Sequence, residues 1–209
     1  MSNQQTIAVI DYGMGNLRSV SKALNHVAKD SQILITNDKQ QIEQAEKIVF
    51  PGVGAVSHCM EELIKYDLIE PIKKAALEKP FLGICLGMQL LFDHSEENQG
   101  TKALGVFDGV VSLFNHANLK IPHMGWNNVR QTIDHPLWHK INNDSQFYFV
   151  HSYFVQPKNN INSGICNYGH EFTASIASDN IFATQFHPEK SQSDGLQLLK
   201  NFSTWKGTC

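Results

Sequence analysis

The chain has 209 residues, with 17 basic against 20 acidic side chains and a formal net charge of −3. That length suffices for one well-buried domain without calling for a second, and the near balance of charge leaves no field that would favour nucleic acid or an anionic membrane. No apolar run approaches the roughly 20 residues of a membrane span. Cys59, Cys85, Cys166 and Cys209 form no Cys-x-x-Cys pair and no secretory leader is evident, so a soluble protein with free thiols in a reduced cytoplasm is expected.

Residues 6–10 read as a buried strand, and from Asn16 onward Leu17, Val20, Ala23, Leu24 and Val27 recur at helical spacing. Residues 33–36 and 47–50 repeat the strand signal around a short helical stretch. Residues 56–77 predict two helices divided near Tyr66 and Asp67, and they lead to a short apolar strand over 80–84. Residues 86–92 again carry apolar side chains at helical spacing, which puts Cys85 at a strand-to-helix turn. This alternation predicts an α/β fold, an open and mainly parallel sheet flanked by helices, with ligands at the carboxyl ends of its strands. After about residue 100 the pattern turns strand-rich, at 104–114, 127–132, 147–154, 172–177 and 181–186, which predicts an antiparallel extension. Residues 195–205 close the chain as a helix presenting Leu196, Leu198, Leu199, Phe202 and Trp205. With no internal repeat, low-complexity tract or linker, 1–209 reads as a single domain.

The segment Gly83-Ile84-Cys85-Leu86-Gly87 has the composition of a nucleophile elbow. Its glycines are expected to let the backbone take a strained turn and to clear space for a substrate carbonyl, while the helix that follows brings a positive dipole end beside the sulfur and favours thiolate. A free cysteine in an apolar run is otherwise an inert core residue. A thiol nucleophile needs a base, and the base needs an acceptor on its other nitrogen; His187-Pro188-Glu189 supplies an imidazole and a carboxylate on a stiffened path. The bland alternative there is a polar turn at a strand end.

Other motifs are weighed the same way. Gly13-Met14-Gly15 follows a strand and opens a helix, but Arg18 stands where a dinucleotide fingerprint needs its third glycine. Pro51-Gly52-Val53-Gly54 lacks the Gly-Lys-Ser/Thr ending of a phosphate loop; at a strand end it is an ordinary turn or a source of backbone N–H groups for a developing oxyanion. Among ten histidines, His135 and His139 have Pro136 between them and no adjacent Glu, and His116 and His123 lack a cysteine or carboxylate array, so no metal site is expected.

These segments, with Asp11 to Ser19, Ile121-Pro122-His123-Met124-Gly125-Trp126-Asn127, Tyr148 to Tyr153 and Gln185 to Ser191, carry a resemblance across nearly the whole chain. The sequence resembles the class I, triad-type glutamine amidotransferases, whose fold is flavodoxin-like, and within them the glutaminase subunits of imidazole glycerol phosphate synthase. The resemblance implies hydrolysis of L-glutamine through a cysteine thioester by Cys85, His187 and Glu189, with no cofactor. It implies an oxyanion site at Gly52, Val53 and Gly54, whose peptide flip acts as a switch, with the Leu86 N–H as second donor. Gln89 and Glu97 would hold the substrate, alongside His151, Ser152 and Tyr153. Glu97 would receive the α-ammonium, although Ser95-Glu96-Glu97-Asn98 also reads as a solvated helix end.

The implied partner is a (β/α)8-barrel cyclase, forming a heterodimer in histidine biosynthesis. It would add the ammonia to a phosphorylated ribonucleotide intermediate, giving imidazole glycerol phosphate and an aminoimidazole carboxamide ribotide. The isolated chain would then be weakly active. Asn16, Arg18, Pro122, His123, Met124, Trp126, Tyr148 and Lys190 are the interface candidates, with Trp126 as aromatic anchor or, alternatively, a buried core residue. Three other readings share some of the same residues: a glutaminase feeding a paralogous synthase for another product such as a modified sugar, a cysteine peptidase or esterase, and a non-catalytic scaffold.

Overall fold

A computed structural model describes residues 4–115 and 119–208; His116 of the metal reading and Cys209 of the free-thiol reading lie outside the described residues. The first half follows the predicted alternation: β1 (Gln5–Ile10), α1 (Leu17–Val27), β2 (Ser31–Thr36), α2 (Lys39–Gln44), β3 (Lys47–Gly52), α3 (Val56–Lys65), α4 (Ile69–Glu78) and β4 (Phe81–Cys85). The second half is α5 (Leu86–Gln89), β5 (Phe92–Ser95), β6 (Thr101–Lys102), β7 (Phe107–Leu113), β8 (His123–Gln131), β9 (Ser145–His151), β10 (Tyr153–Pro157), β11 (Asn162–Asn167), β12 (Glu171–Ser178), β13 (Ile181–Thr184) and α6 (Gln192–Thr204).

Nine strands form one sheet in the order β2-β1-β3-β4-β13-β12-β11-β8-β9, and β10-β7-β5-β6 form a second. From β2 through β13 every neighbour pair in the large sheet is parallel; from β13 to β9 every pair is antiparallel. The inner parallel strands β1, β3, β4 and β13 are buried on both faces over most or all of their length, which is why they read as continuous apolar runs, whereas edge strand β2 is largely half-buried. Side chains alternate across the sheet, so Ile7 and Val9 join a core cluster with Leu24 of α1 and Leu198, Leu199 and Phe202 of α6. Ala8 and Ile10 join the opposite cluster with Leu63 of α3 and Ile72 of α4. Lys47, at the start of β3, is buried and donates to the carbonyls of Phe202 (3.0 Å) and Trp205, answering the otherwise orphaned end of α6. Burial pushes its ammonium down to about 8.

Several expectations change. The helix predicted over 86–92 is a single turn, and Phe92 already pairs in register with Phe107 of β7. Residues 81–92 are all buried, so this stretch has no polar face and its periodicity could not separate helix from strand. The strand predicted at 127 begins at His123, and 147–154 is two strands broken at Ser152, where the chain leaves the large sheet to pair Tyr153 with Leu113. β5, β6 and β11 were not foreseen; β11 reads Asn-Ser-Gly-Ile-Cys-Asn, and it pairs with β12 through register shifts around Gly164. The closing helix starts three residues earlier than predicted, at Gln192.

Candidate active site

Strands β3, β4 and β13 run parallel and adjacent, so their carboxyl ends share one rim, with Gly52 opposite Cys85 and Ile84 opposite Thr184. Past β13 the chain is pinned where the His187 N–H donates to the Tyr148 carbonyl at 2.9 Å, and Pro188 opens a 3-10 turn that brings Glu189 back beneath the imidazole.

Cys85 itself adopts the strained conformation, φ 55° and ψ −111°, where the sequence pattern had assigned the strain to its glycine neighbours. Such a conformation at a non-glycine residue costs about 1–3 kcal/mol and persists because the surroundings over-determine it. Gly87 has a different role: a Cβ there would lie 1.8 Å from the Phe50 carbonyl oxygen, so only glycine lets the elbow seat against β3. One helical turn carries little of a macrodipole, so α5 adds less to the sulfur's surroundings than a long helix would.

His187 Nδ1 lies 2.9 Å from Glu189 Oε1, with side-chain exposures of 3% and 0%. Nε2 is buried and meets no partner at ordinary hydrogen-bond geometry among the described residues. Burial alone would lower the His187 pKa, but the charge and hydrogen bonding of the Cys85 sulfur, followed by those of Glu189, outweigh it and raise the group to about 10. The imidazole thus stands beside the cysteine sulfur and is oriented by a buried carboxylate.

Cys85 and His187 open into a cavity of ≈ 290 Å3 lined also by Val53, Gly54, Leu86, Gln89, Glu97, Pro122, Val150, His151, Ser152 and Tyr153. Gln89 Nε2 donates to the Tyr153 carbonyl (3.1 Å) and to Gln185 Oε1 (2.9 Å), so its own Oε1 is the acceptor it can offer a ligand. Glu97 sits in a 3-10 turn after β5, half-buried, where Oε2 accepts from the Val56 N–H at the start of α3 (2.7 Å). It therefore forms part of the cavity wall instead of a solvated helix end. Val53 and Gly54 are exposed to the cavity, and the Leu86 N–H is the first of α5. Gly52 does not line the cavity. It is packed behind the strip, where a Cβ would fall 2.4 Å from the Tyr12 hydroxyl oxygen, and that hydroxyl donates to the Pro51 carbonyl (2.9 Å). Cys59, a thiol pushed up to about 11 by burial, donates to the Val53 carbonyl at 3.7 Å.

A pair of neutral imidazoles lies on another part of the wall, His151 at the lining and His123 behind it. His151 Nδ1–H donates to the Tyr153 carbonyl (2.7 Å), which makes its Nε2 the acceptor for His123 Nδ1–H (3.0 Å), and Asn127 Nδ2 donates in turn to His123 Nε2 (3.3 Å). That order of donors and acceptors is assigned from the network. Both imidazoles are neutral in it, and burial pulls His151 down to about 3 and His123 to about 4.

His123 thus departs from the expected interface set: it is 3% exposed and stacked between Tyr168 and Phe149. The neighbouring candidates are at the surface. Met124 is 61% and Trp126 43% exposed, which excludes a core role for the tryptophan. Trp126 meets Tyr148 edge-on at 6.1 Å, and the Lys190 ammonium lies 5.7 Å from the Tyr148 ring centre. Pro122 is half-buried on the cavity wall, while Asn16 and Arg18 lie at the start of α1, half-buried and exposed respectively.

Sequence reasoning missed Gln185, Tyr12, Cys59, Val150 and Asn127. All but Cys59 lie inside the motif segments named above, but no local pattern marks the contacts that the fold gives them. Among the described residues no group of three or more His, Cys, Asp or Glu is placed to hold a metal ion, and no helix is long and apolar enough to cross a membrane.

A parallel sheet with a cysteine on a strand-to-helix elbow and a histidine–carboxylate pair just past the adjacent strand is the architecture of the class I glutamine amidotransferases, and comparison with known proteins gives that class. Residues 8–204 match the family "Glutamine amidotransferase class-I", and the chain belongs to that family. Within it, the chain is similar to proteins named imidazole glycerol phosphate synthase subunit HisH. The one from Hydrogenovibrio crunogenus is 51% identical, covering 99% of this chain and 100% of the relative. That from Dechloromonas aromatica is 56% identical, over 97% of each. Among solved structures, PurLQS from Thermotoga maritima superposes with a TM-score of 0.71 at 17% identity, over 95% of this chain and 97% of that one, a likeness of fold.

Proposed function

We propose that this chain is the glutaminase subunit of an imidazole glycerol phosphate synthase, hydrolysing L-glutamine to glutamate and ammonia for histidine biosynthesis. The observation that carries this reading is the buried His187–Glu189 pair beside the Cys85 elbow, in one cavity with the Gln89 amide and the Glu97 carboxylate.

The Cys85 sulfur attacks the side-chain amide carbon, and the negative charge that develops on oxygen is met by N–H groups of Leu86 and the Val53–Gly54 strip. His187 gives its proton to the amide nitrogen as the C–N bond breaks, releasing ammonia and leaving a thioester. Water then adds to the thioester carbonyl with its proton passing to His187. The C–S bond breaks, glutamate leaves, and the electron pair returns to sulfur. Glu189 holds the imidazole tautomer throughout. Gln89 and Glu97 bind the substrate, with Glu97 taking the α-ammonium through charge-assisted bonds. A peptide interior has no such ammonium, which argues against a peptidase. Gly52 contributes by its packing, and His151, Ser152 and Tyr153 close the far wall. None of these steps needs a cofactor.

Ammonia released into water at neutral pH is mostly ammonium and no longer nucleophilic, so the product is passed directly to a (β/α)8-barrel cyclase in a cytoplasmic heterodimer. Met124, Trp126, Tyr148 and Lys190 form its docking surface beside the cavity mouth, with Asn16, Arg18 and Pro122 at the margins and Trp126 as the anchor. The identity of the named relatives favours this product over that of a paralogous synthase.

The test is synthesis by the complex of this chain with the cyclase. Cys85→Ala should abolish glutamate release and glutamine-dependent synthesis while leaving ammonia-dependent synthesis intact. Glutamine-dependent turnover surviving in Cys85→Ala overturns the reading.

A further inference from the structure

We infer that Gln185 is a positioning residue for the Cys85 sulfur; the inference rests on the glutaminase reading above. Gln185 lies between the end of β13 and His187 and is wholly buried, at 0% exposure. Its backbone N–H donates to the Ala174 carbonyl of β12 at 2.8 Å, and both ends of its side-chain amide are engaged. Oε1 accepts from Gln89 Nε2 at 2.9 Å, and Nε2 donates to Cys85 Sγ at 3.7 Å.

The direction of this amide is set by its neighbours. The Tyr153 carbonyl, an obligate acceptor, takes hydrogens from both His151 Nδ1 (2.7 Å) and Gln89 Nε2 (3.1 Å), which turns the second Gln89 hydrogen toward Gln185. Reversing Gln185 would put two amide donors face to face and turn a carbonyl oxygen toward an anionic sulfur. The polarity therefore runs in one sense from the Tyr153 carbonyl to the nucleophile. Side chains from β12's neighbour, the elbow helix and the β9–β10 corner all join in fixing it.

A buried amide costs free energy that an apolar residue of equal size would not, unless its hydrogen bonds are made. At this position the bond has a specific use. Once His187 has given its proton to the departing ammonia the imidazole is neutral, and the Gln185 N–H is the donor that remains on sulfur. When water has added and the C–S bond breaks, the same N–H receives the returning electron pair on sulfur in place. One chain segment thus supplies both groups that address Cys85, the proton carrier His187 and the fixed donor Gln185.

The experiment compares Gln185→Met and Gln185→Glu with the unaltered chain, each assembled with the cyclase. Methionine keeps length and volume and removes both polar ends; loss of one donor to a charged sulfur should lower kcat about 10- to 100-fold with KM within about threefold. Carboxamidomethylation of Cys85 by iodoacetamide at pH 7 should slow by about tenfold, a readout that involves no glutamine and that a purely structural role would not move. Glutamate at 185 keeps the acceptor for Gln89 but turns an oxygen toward sulfur, and both losses should be larger. Unchanged labelling and kcat in either folded variant overturns the positioning role. A Cys85→Ala control that still turns over glutamine overturns the underlying reading instead, so the two failures are distinguishable.

Discussion

His187 and His151 line one cavity from opposite halves of the large sheet, and they stand in opposite charge states. His187 follows β13 in the parallel half, where a sulfur and a carboxylate offset the cost of burying a cation and lift it to about 10. His151 ends β9 in the antiparallel extension, where its neighbours are a backbone carbonyl, a second neutral imidazole and aromatic rings, and burial drives it down to about 3. Burial lowers both imidazoles; what separates them is that His187 alone has a sulfur and a carboxylate beside it to outweigh that burial. The parallel half carries the groups proposed to react, and the extension supplies a neutral wall beside them.

The largest effect should come from breaking the charged side of this comparison. Glu189→Gln keeps the shape of the triad but offers His187 Nδ1 an ambiguous partner, so kcat for glutamate release should fall by roughly two to four orders of magnitude. If steady-state kinetics give less than a fivefold loss, the carboxylate does not orient the base.

A smaller but more direct measurement follows the imidazole itself. In Cys85→Ser the foremost cause that raises His187 is removed while burial remains, so its titration in a histidine NMR spectrum should move well down from about 10. The sign can also be read in stability. A folded pKa above the unfolded value near 6.5 stabilises fully below 6.5 and is lost as pH rises through about 10, so this alkaline loss should diminish in the variant. An unmoved His187 resonance would show that the sulfur is not its partner.

The smallest effect concerns the neutral histidines. His123 and His135, each lowered to about 4, and His151, lowered to about 3, favour the folded state above pH 6.5, and that contribution is lost as pH falls through those values. Resistance to denaturant should therefore fall steeply as pH drops from about 6.5 to 4. His135 does not line the cavity; it packs against Phe182 and Trp205, with Nδ1 accepting from the Leu137 N–H at 3.1 Å and Nε2 without a partner among the described residues. His135→Phe should remove one proton's share of the acid slope and cost about 1 kcal/mol at pH 7 for the lost cap, leaving kcat unchanged. An acid slope identical to that of the unaltered chain would exclude His135 from this account.

What the sequence determined by itself was local chemistry and local geometry. The five apolar positions before Cys85, the glycines around it and the proline between His187 and Glu189 each limit the backbone within a few residues, and such limits survive whatever the rest of the chain does. The alternation of apolar runs and helical periods likewise specified the parallel half, because strands buried on both faces advertise themselves. Only the tertiary structure decided where 86–92 stops being a helix, that 147–154 breaks into two sheets, that His123 is buried while Trp126 beside it is not, and that Gln185 meets a sulfur 100 positions away. These outcomes depend on which strand lies next to which. Pairing is settled by the combined packing and hydrogen bonding of residues distant in the chain, and no window of neighbouring residues contains that information.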